Sequence, residues 1–497
     1  MSEQRSITPV MPIPVEELAA AIGGTCVLPA AQRNDEAAGS AALVRGITHD
    51  SRAVTPGALF ACVAGQHHDG HRFAADALHA GAVTLLVSQV LDVDVPQIVV
   101  ADVREVLGPA SAAVWGQPWR RCPVVGVTGT AGKTTVTHAI ADIASACGTT
   151  CEVMGTLDGT HTTPEAPDLC RRLSQAADAG TGMVVLEVSS HALAQGRVDG
   201  ASFAAGVFTN LSHEHLDFHR TMEDYFNAKA RLFDGRSEIA VLNVADAWGR
   251  RLASMAAGTT AEVVEWQPSD IDHIVVSTAG FTGRWRGRSV HCGLLGRFNA
   301  ANVAAAAATA SALGFDDDAI AEAIAAVSPV RGRLWPVSGP DDDITVLVDY
   351  AHKPDALAAA LIGARELGAA GGRLWAVFGA GGDRDQSKRA LMGAAADRHA
   401  DVLILTSDNP RSEDPARIAS DIAAGVVSRH DADDGLHVDL DRSSAISYAI
   451  RNAEAGDVLV VAGKGHETAQ VTAGHSVPFD DAVVAAEHLR QRRSAQR

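Results

Sequence analysis

The stretch GVTGTAGKTTV, Gly126 to Val136, constrains this chain more than any other. The apolar run Pro123 to Val127 reads as a buried strand, which enters a glycine-rich turn and leaves it as a helix over 134–147. Strand, phosphate loop and helix in that order belong to an α/β sheet that takes ligands at the carboxyl ends of its strands. Gly129 and Gly132 let backbone amides close on phosphate oxygens, and the helix N-terminus adds partial positive charge. Lys133 neutralises oxygens and Thr134 can hold Mg²⁺. The usual pattern has its first glycine where Val127 stands; here that glycine, Gly126, comes one residue earlier. A chance glycine turn beside Lys-Thr is the competing reading, and the strand before and helix after count against it.

The 497 residues suffice for about three domains. With 41 basic and 60 acidic residues the formal charge is −19, which argues against nucleic acid or an anionic membrane as the main partner. Any phosphate must then be held by local positive groups. Seven scattered cysteines without CxxC pairs fit a reducing compartment. Residues 1–30 carry no basic-then-apolar signal segment, and alanine-rich stretches such as Ala304 to Ala312 are too short to span a bilayer. The expectation is a soluble cytoplasmic protein, monomeric and without membrane insertion.

Residues 1–112 read as a small α/β domain with a helix near Val15 to Ile22. Its polar signals are Thr48-His49-Asp50-Ser51-Arg52 and the loop GQHHDGHRF, Gly65 to Phe73. Such loops can hydrogen-bond a pyrimidine and a diphosphate, or can be ordinary turn chemistry. The central domain, 113–336, alternates strands and helices. A buried strand Met183 to Val188 delivers Glu187, Ser189, Ser190 and His191, and a strand Ala205 to Thr209 delivers Asn210 through His219. Glu187 and His215 are candidate Mg²⁺ ligands; the run HEHLDFH could also suggest zinc, but a phosphate loop calls for a hard cation with oxygen ligands. Thr221 should cap a helix that carries Lys229, a solvated charge unless that helix faces the metal site.

LWPVSGPDDD, residues 334–343, reads as a linker into a C-terminal domain, 337–497. There the strands Thr345 to Val348, Leu374 to Phe378, Val402 to Leu405 and Val458 to Val461 alternate with helices, a doubly wound, Rossmann-like pattern. GAGGDR is too loose a fingerprint to argue NAD. Three loops carry clustered charges, Arg384/Lys388/Arg389, Asp408/Arg411 and Lys464/Glu467, a rim suited to a zwitterion. Arg411 could instead pair with Glu413 or Asp414 on the following helix.

The whole chain resembles the Mur ligases, ATP-dependent amide-bond-forming enzymes of peptidoglycan synthesis. The resemblance rests on ITHDSR and DGHRF, then GVTGTAGKTT, TTP, EVSSHAL, NLSHEHLDFH, YFNAKARLF and GRFNAANVAAA, and finally VDYAHKPDAL, GAGGDRDQSKR, DNPRSEDP and GKGHET, in one order. It implies three domains and the addition of meso-diaminopimelate to UDP-N-acetylmuramoyl-L-alanyl-D-glutamate through an acyl phosphate, with a paralogue joining another amino acid, such as L-lysine, or serving a specialised pathway as the alternative. It assigns ATP to Gly126, Val127, Thr128, Gly129, Thr130, Ala131, Gly132, Lys133, Thr134 and Thr135, with Asn302, Asp349 and His352 also touching the nucleotide. It assigns the UDP-sugar peptide to His49, Ser51, Gln66, His67, His68, Thr162, Thr163, Ser189, Gln195 and Arg197. The amino acid falls to Arg389, Asp408, Asn409, Pro410, Arg411, Gly463 and Glu467. Lys133, Glu187, His215 and Lys229 become the catalytic set, Thr134, Glu187, His215 and Lys229 the metal set, and Lys229 matches a lysine carbamoylated in the family. The chain departs from the family at Ala131, where asparagine is usual, and at Lys353, where threonine is usual.

Overall fold

A computed structural model describes residues 11–29, 42–65, 68–159, 161–214, 216–369, 371–428 and 435–496. The chain divides into two compact units, Met1–Gln267 with Ala305–Asp316, and Pro268–Ala304 with Asp317–Arg497.

The first unit holds two larger sheets and a short antiparallel pair, Ile13–Pro14 with Leu43–Val44. The N-terminal sheet has the spatial order Thr25–Val27, Gln97–Val99, Thr84–Val87, Ala58–Ala61, Gly46–Thr48 and is parallel apart from its first pair. Its strands read as nearly continuous apolar runs because both faces are covered. Leu59, Leu86 and Ile98 pack with Leu18 and Leu107 of two helices, while Phe60 and Leu85 pack with Ala74 and Ala77 on the other side.

The second sheet is wholly parallel, in the order Glu262–Trp266, Ser237–Asn243, Phe203–Phe208, Val124–Thr128, Met183–Glu187, Cys151–Met154. From Val124–Thr128 the chain builds first toward one edge and then toward the other. The loop that leaves this central strand therefore lies at the switch point, where an open α/β sheet forms its ligand crevice.

The second unit contains a six-stranded sheet in the order Trp335–Pro336, Thr345–Asp349, Val458–Ala462, Leu374–Phe378, Val402–Leu405, Leu436–Val438. All its pairs are parallel except the first. Apolar clusters cover both faces, one around Leu347, Phe378 and Val460, the other around Val346, Trp375 and Leu459. The charged loops leave the carboxyl ends of these strands.

The parallel α/β architecture and most strand positions match the sequence expectation. Two features differ. The segment read as a linker contributes the edge strand Trp335–Pro336, with its proline at an edge, where a missing N–H costs little. Residues 271–292 form a three-stranded antiparallel sheet, Ile271–Ser277, Gly280–Trp285 and Arg288–Cys292, where a strand-helix alternation was expected.

Candidate functional site

The strand Val124–Thr128 is buried along its whole length and ends at Gly129, and the helix Lys133–Ala146 begins after Gly132 in the left-handed region, φ 84°. A side chain at Gly129 would run into Thr209 Oγ1. The loop is tied down from the neighbouring strand: Thr130 N donates to Asn210 O at 2.9 Å, Ala131 N to Asn210 Oδ1 at 2.9 Å, and Thr209 Oγ1 to Ala131 O at 2.7 Å. Position 131 thus contributes backbone atoms, and alanine serves where the family usually has asparagine. Lys133 Nζ turns back to Gly129 O (2.8 Å) and Thr130 O (3.0 Å).

Beside the loop, Thr134 Oγ1 donates to Glu187 Oε2 at 3.1 Å, and Thr156 N donates to Glu187 Oε1 at 2.9 Å. Thr134 and Glu187 are both buried. They form a pair of adjacent oxygen donors, the chemistry a hard divalent cation takes. His215 lies outside the described residues, as do Gln66 and His67.

Thr221 caps the helix Met222–Ala230 by accepting from Asp224 N at 3.1 Å, as its sequence requires. This helix turns Lys229 inward rather than into solvent. The side chain is 1 % exposed, and Nζ donates to Gly129 O at 2.8 Å and sits 4.5 Å from the Tyr225 ring centroid. Burial, reinforced by the Lys133 charge, holds its pKa well below the ordinary lysine value. Tyr225 was not singled out from sequence. Its hydroxyl meets Thr130 Oγ1 at 3.1 Å, so one helix carries both Lys229 and a support for the phosphate loop.

Thr163 Oγ1 donates to Glu187 O at 2.8 Å and accepts from Ser189 N at 3.0 Å, while Thr162 Oγ1 lies 3.1 Å from Thr156 Oγ1. Arg197 donates to Thr163 O and Gln195 Oε1, both at 2.9 Å, and pairs with Glu165 at 3.0 Å. Thr162, Thr163, Ser189, Gln195 and Arg197 therefore gather around the end of the Glu187 strand. Glu165 also pairs with Arg104 at 3.0 Å. Burial lowers the His49 pKa, and Glu165 opposes that shift. Among the described residues His49 Nδ1 is buried without a hydrogen-bond partner. Ser51 opens a short 3₁₀ turn capped by Asp50, and His68 O accepts from Gly65 N at 2.8 Å.

In the second unit Asn409 Nδ2 donates to Asp408 Oδ1 (3.1 Å) and Glu467 Oε2 (2.8 Å), joining two of the amino-acid loops. Arg411 adopts φ 53° and donates to Gly382 O at 2.7 Å. The acids that could have taken it are engaged elsewhere: Glu413 pairs with Arg389 at 2.9 Å, and Asp414 caps the helix Pro415–Ala423. Arg389 is fully buried between Glu413 and Asp421, both at 2.9 Å. Its guanidinium thus braces the loops from beneath. Pro410 O accepts from Glu413 N at 3.0 Å. Gly463 has φ 114°, and a side chain there would run into Asp408 Oδ2.

Asp349 accepts from Leu334 N (2.6 Å) and Ala351 N (2.7 Å), and burial raises its pKa. His352 Nδ1 meets Tyr350 O at 2.8 Å; burial, with Lys388 next in effect, lowers its pKa to about 4. Asn302 Nδ2 donates to Asn299 Oδ1 at 2.8 Å.

A phosphate loop at the switch point of a parallel sheet, with a buried Thr-Glu pair beside it, defines a phosphate-loop nucleotide-binding protein. The chain matches the Mur ligase family catalytic domain over residues 43–115, the Mur ligase middle domain over 127–310, and the Mur ligase glutamate ligase domain over 332–465. It is 42% identical over 474 residues to a UDP-N-acetylmuramoyl-L-alanyl-D-glutamate--2,6-diaminopimelate ligase of Geobacillus thermodenitrificans, covering 89% of this chain and 94% of that one. It is 43% identical over 474 residues to the ligase of the same name from Gloeobacter violaceus, with 91% and 95% covered. A solved structure of a ligase of that name superposes with a TM-score of 0.67 at 33% identity, covering 98% of this chain and 99% of the other. The MurF ligase of Thermotoga maritima in complex with ADP shares the fold, at TM-score 0.62 and 17% identity over 91% of this chain and 99% of that one. The chain belongs to the Mur ligase family.

Proposed function

We propose that this chain is an ATP-dependent ligase that joins meso-diaminopimelate to the glutamate carboxylate of UDP-N-acetylmuramoyl-L-alanyl-D-glutamate. The observation that carries the choice of amino acid is Arg411, which donates to a carbonyl and hydrogen-bonds no carboxylate among the described residues, Asp383 feeling it only through its charge, on the loop that also carries Asp408 and that Asn409 joins to Glu467. A guanidinium and two carboxylates on loops joined by one amide suit the carboxylate and ammonium at the distal end of diaminopimelate. The likeness to ligases named for that substrate supports the same reading.

The glutamate carboxylate attacks the γ-phosphorus of ATP, forming an acyl phosphate and releasing ADP. The diaminopimelate amine then attacks the acyl carbon, phosphate leaves, and the amine loses a proton. Loop amides and Lys133 meet the charge on the transferring group. Thr134 and Glu187 would hold Mg²⁺, joined by His215; bound there, the ion supplies neutralisation of phosphate charge. The depressed pKa of Lys229 favours the neutral amine, the form that adds CO₂, and a carbamate would turn a cation beside the loop into an anion able to bind metal. Cytoplasmic action fits the seven free cysteines.

The test is phosphate release from ATP in the presence of the UDP-sugar dipeptide and a panel of amino acids. Release is expected with meso-diaminopimelate. Equal release with L-lysine would overturn the assignment of the amino acid, and no release with any amino acid would overturn the ligase reading.

A further inference from the structure

The loop that follows the strand Val458–Ala462 carries a fully buried lysine, Lys464, to which the site described above gives no role. Its Nζ donates to Asn409 Oδ1 at 3.2 Å, Glu467 Oε2 at 3.1 Å and Ala469 O at 2.6 Å. An ammonium has three protons, and three acceptors surround this one, so none is left for a substrate. The geometry points to Lys464 as a positioning residue for amino-acid recognition, acting through the orientation of the Asn409 amide.

The argument runs through Asn409. Its Oδ1 faces two donors, Lys464 Nζ and Val471 N at 2.9 Å. The oxygen is thereby fixed on the inner side, and Nδ2 is fixed toward Asp408 Oδ1 and Glu467 Oε2. The amide so placed bridges two carboxylates that would otherwise repel each other. Its oxygen is not available to a substrate ammonium. The acceptors left to an incoming ammonium belong to Asp408 and Glu467. Lys464 also reaches Ala469, the first residue of the strand Ala469–Thr472, whose next members accept from and donate to the Asn409–Arg411 segment: Val471 O takes Arg411 N at 2.9 Å. One buried cation thus sets the spacing of both acids and of the backbone that presents Arg411.

This inference rests on the reading of these loops as the amino-acid site. The experiment measures KM and kcat by phosphate release for Lys464→Met, Asn409→Ala and the double variant, with thermal unfolding to confirm that each is folded. For Lys464→Met, KM for meso-diaminopimelate should rise about tenfold or more, while KM for ATP and for the UDP-sugar dipeptide stays within about twofold. The double variant should lose less than the two single losses combined, because Lys464 and Asn409 share one hydrogen bond in the same network. Lys464→Gln, which keeps two N–H donors without the charge, should give a smaller rise and carries the test if the methionine variant does not fold. An unchanged KM for the amino acid, an additive double variant, or equal losses for all three substrates would each overturn the inference. If the wild type uses another amino acid, the reading of the substrate fails on its own, and the same comparison is made with the amino acid it does use.

Discussion

Burial beside a second lysine selects the neutral form of an amine, and Lys229 meets both conditions, with its Nζ against Gly129 O and Lys133 nearby. Removing it should lower kcat on the order of a hundredfold or more, the usual consequence of losing a group that organises charge at the reacting centre. Bicarbonate should not restore Lys229→Ala, whereas Lys229→Glu should recover part of the rate by supplying an anion. Phosphate release measures all three, and an alanine variant with near-normal turnover would remove Lys229 from the mechanism. His352 gives a different readout, in stability. Its native pKa is lowered from 6.5 to about 4 by burial first and by Lys388 second, with Arg333 lowering it and Tyr350 O and Glu467 opposing. Between pH 6.5 and 4 the unfolded chain therefore binds more protons at this position than the native chain. The contribution of the neutral ring is fully present above 6.5 and is lost as pH falls toward 4. Urea midpoints of wild type and His352→Gln should converge over that interval on acidification; parallel curves would refute the assignment.

At the level of elements, the turn between the strand Val124–Thr128 and the helix Lys133–Ala146 depends on one position that cannot carry a side chain. Gly129 has φ 152°, and a Cβ there would collide with Thr209 Oγ1, the hydroxyl that holds Ala131 O. Gly129→Ala should therefore cost about 1–3 kcal/mol of stability and weaken ATP binding more than it weakens UDP-sugar binding. Calorimetric titration with each ligand separates the two effects, and unchanged ATP affinity would show that the loop tolerates the shift. This turn was legible in the sequence because glycine spacing, an apolar strand and a helix start all occur within one short stretch. The antiparallel sheet over 271–292 was not, although Arg286 (φ 48°) and Gly287 (φ 79°) form a turn between two alternating strands. A strand-helix template had absorbed it. The partners of Arg389 were also hidden, because Glu413 and Asp421 reach it from 24 and 32 residues away, a distance over which local pattern says nothing. The inward turn of Lys229 depended on which face of its helix is buried, and a short helix of mixed polarity leaves that face unmarked.

For the molecule as a whole, the phosphate loop and the residues assigned to the amino acid belong to different compact units, Lys133 to one and Arg411 to the other. Lys133 donates to Gly129 O and Thr130 O, and Arg411 to Gly382 O, so substitutions at the two are expected to act on different substrates. Lys133→Ala should abolish acyl-phosphate formation while the UDP-sugar dipeptide still binds. Arg411→Ala should do the converse, raising KM for meso-diaminopimelate and leaving ATP affinity intact. The size of the second effect follows from what lysine lacks. Diaminopimelate brings a carboxylate beside its distal ammonium and can take two parallel hydrogen bonds from the guanidinium. Lysine would bring only the ammonium, leaving Arg411 unpaired near another positive charge, at a cost on the order of 3 kcal/mol or more in a closed site. Wild type should therefore prefer diaminopimelate by roughly a hundredfold in kcat/KM. Arg411→Ala should lose most of that preference by handling diaminopimelate worse, with little change for lysine. If the variant kept the full preference, discrimination would reside in other groups of the rim, and Arg411 would be left with the backbone role its bond to Gly382 O already gives it.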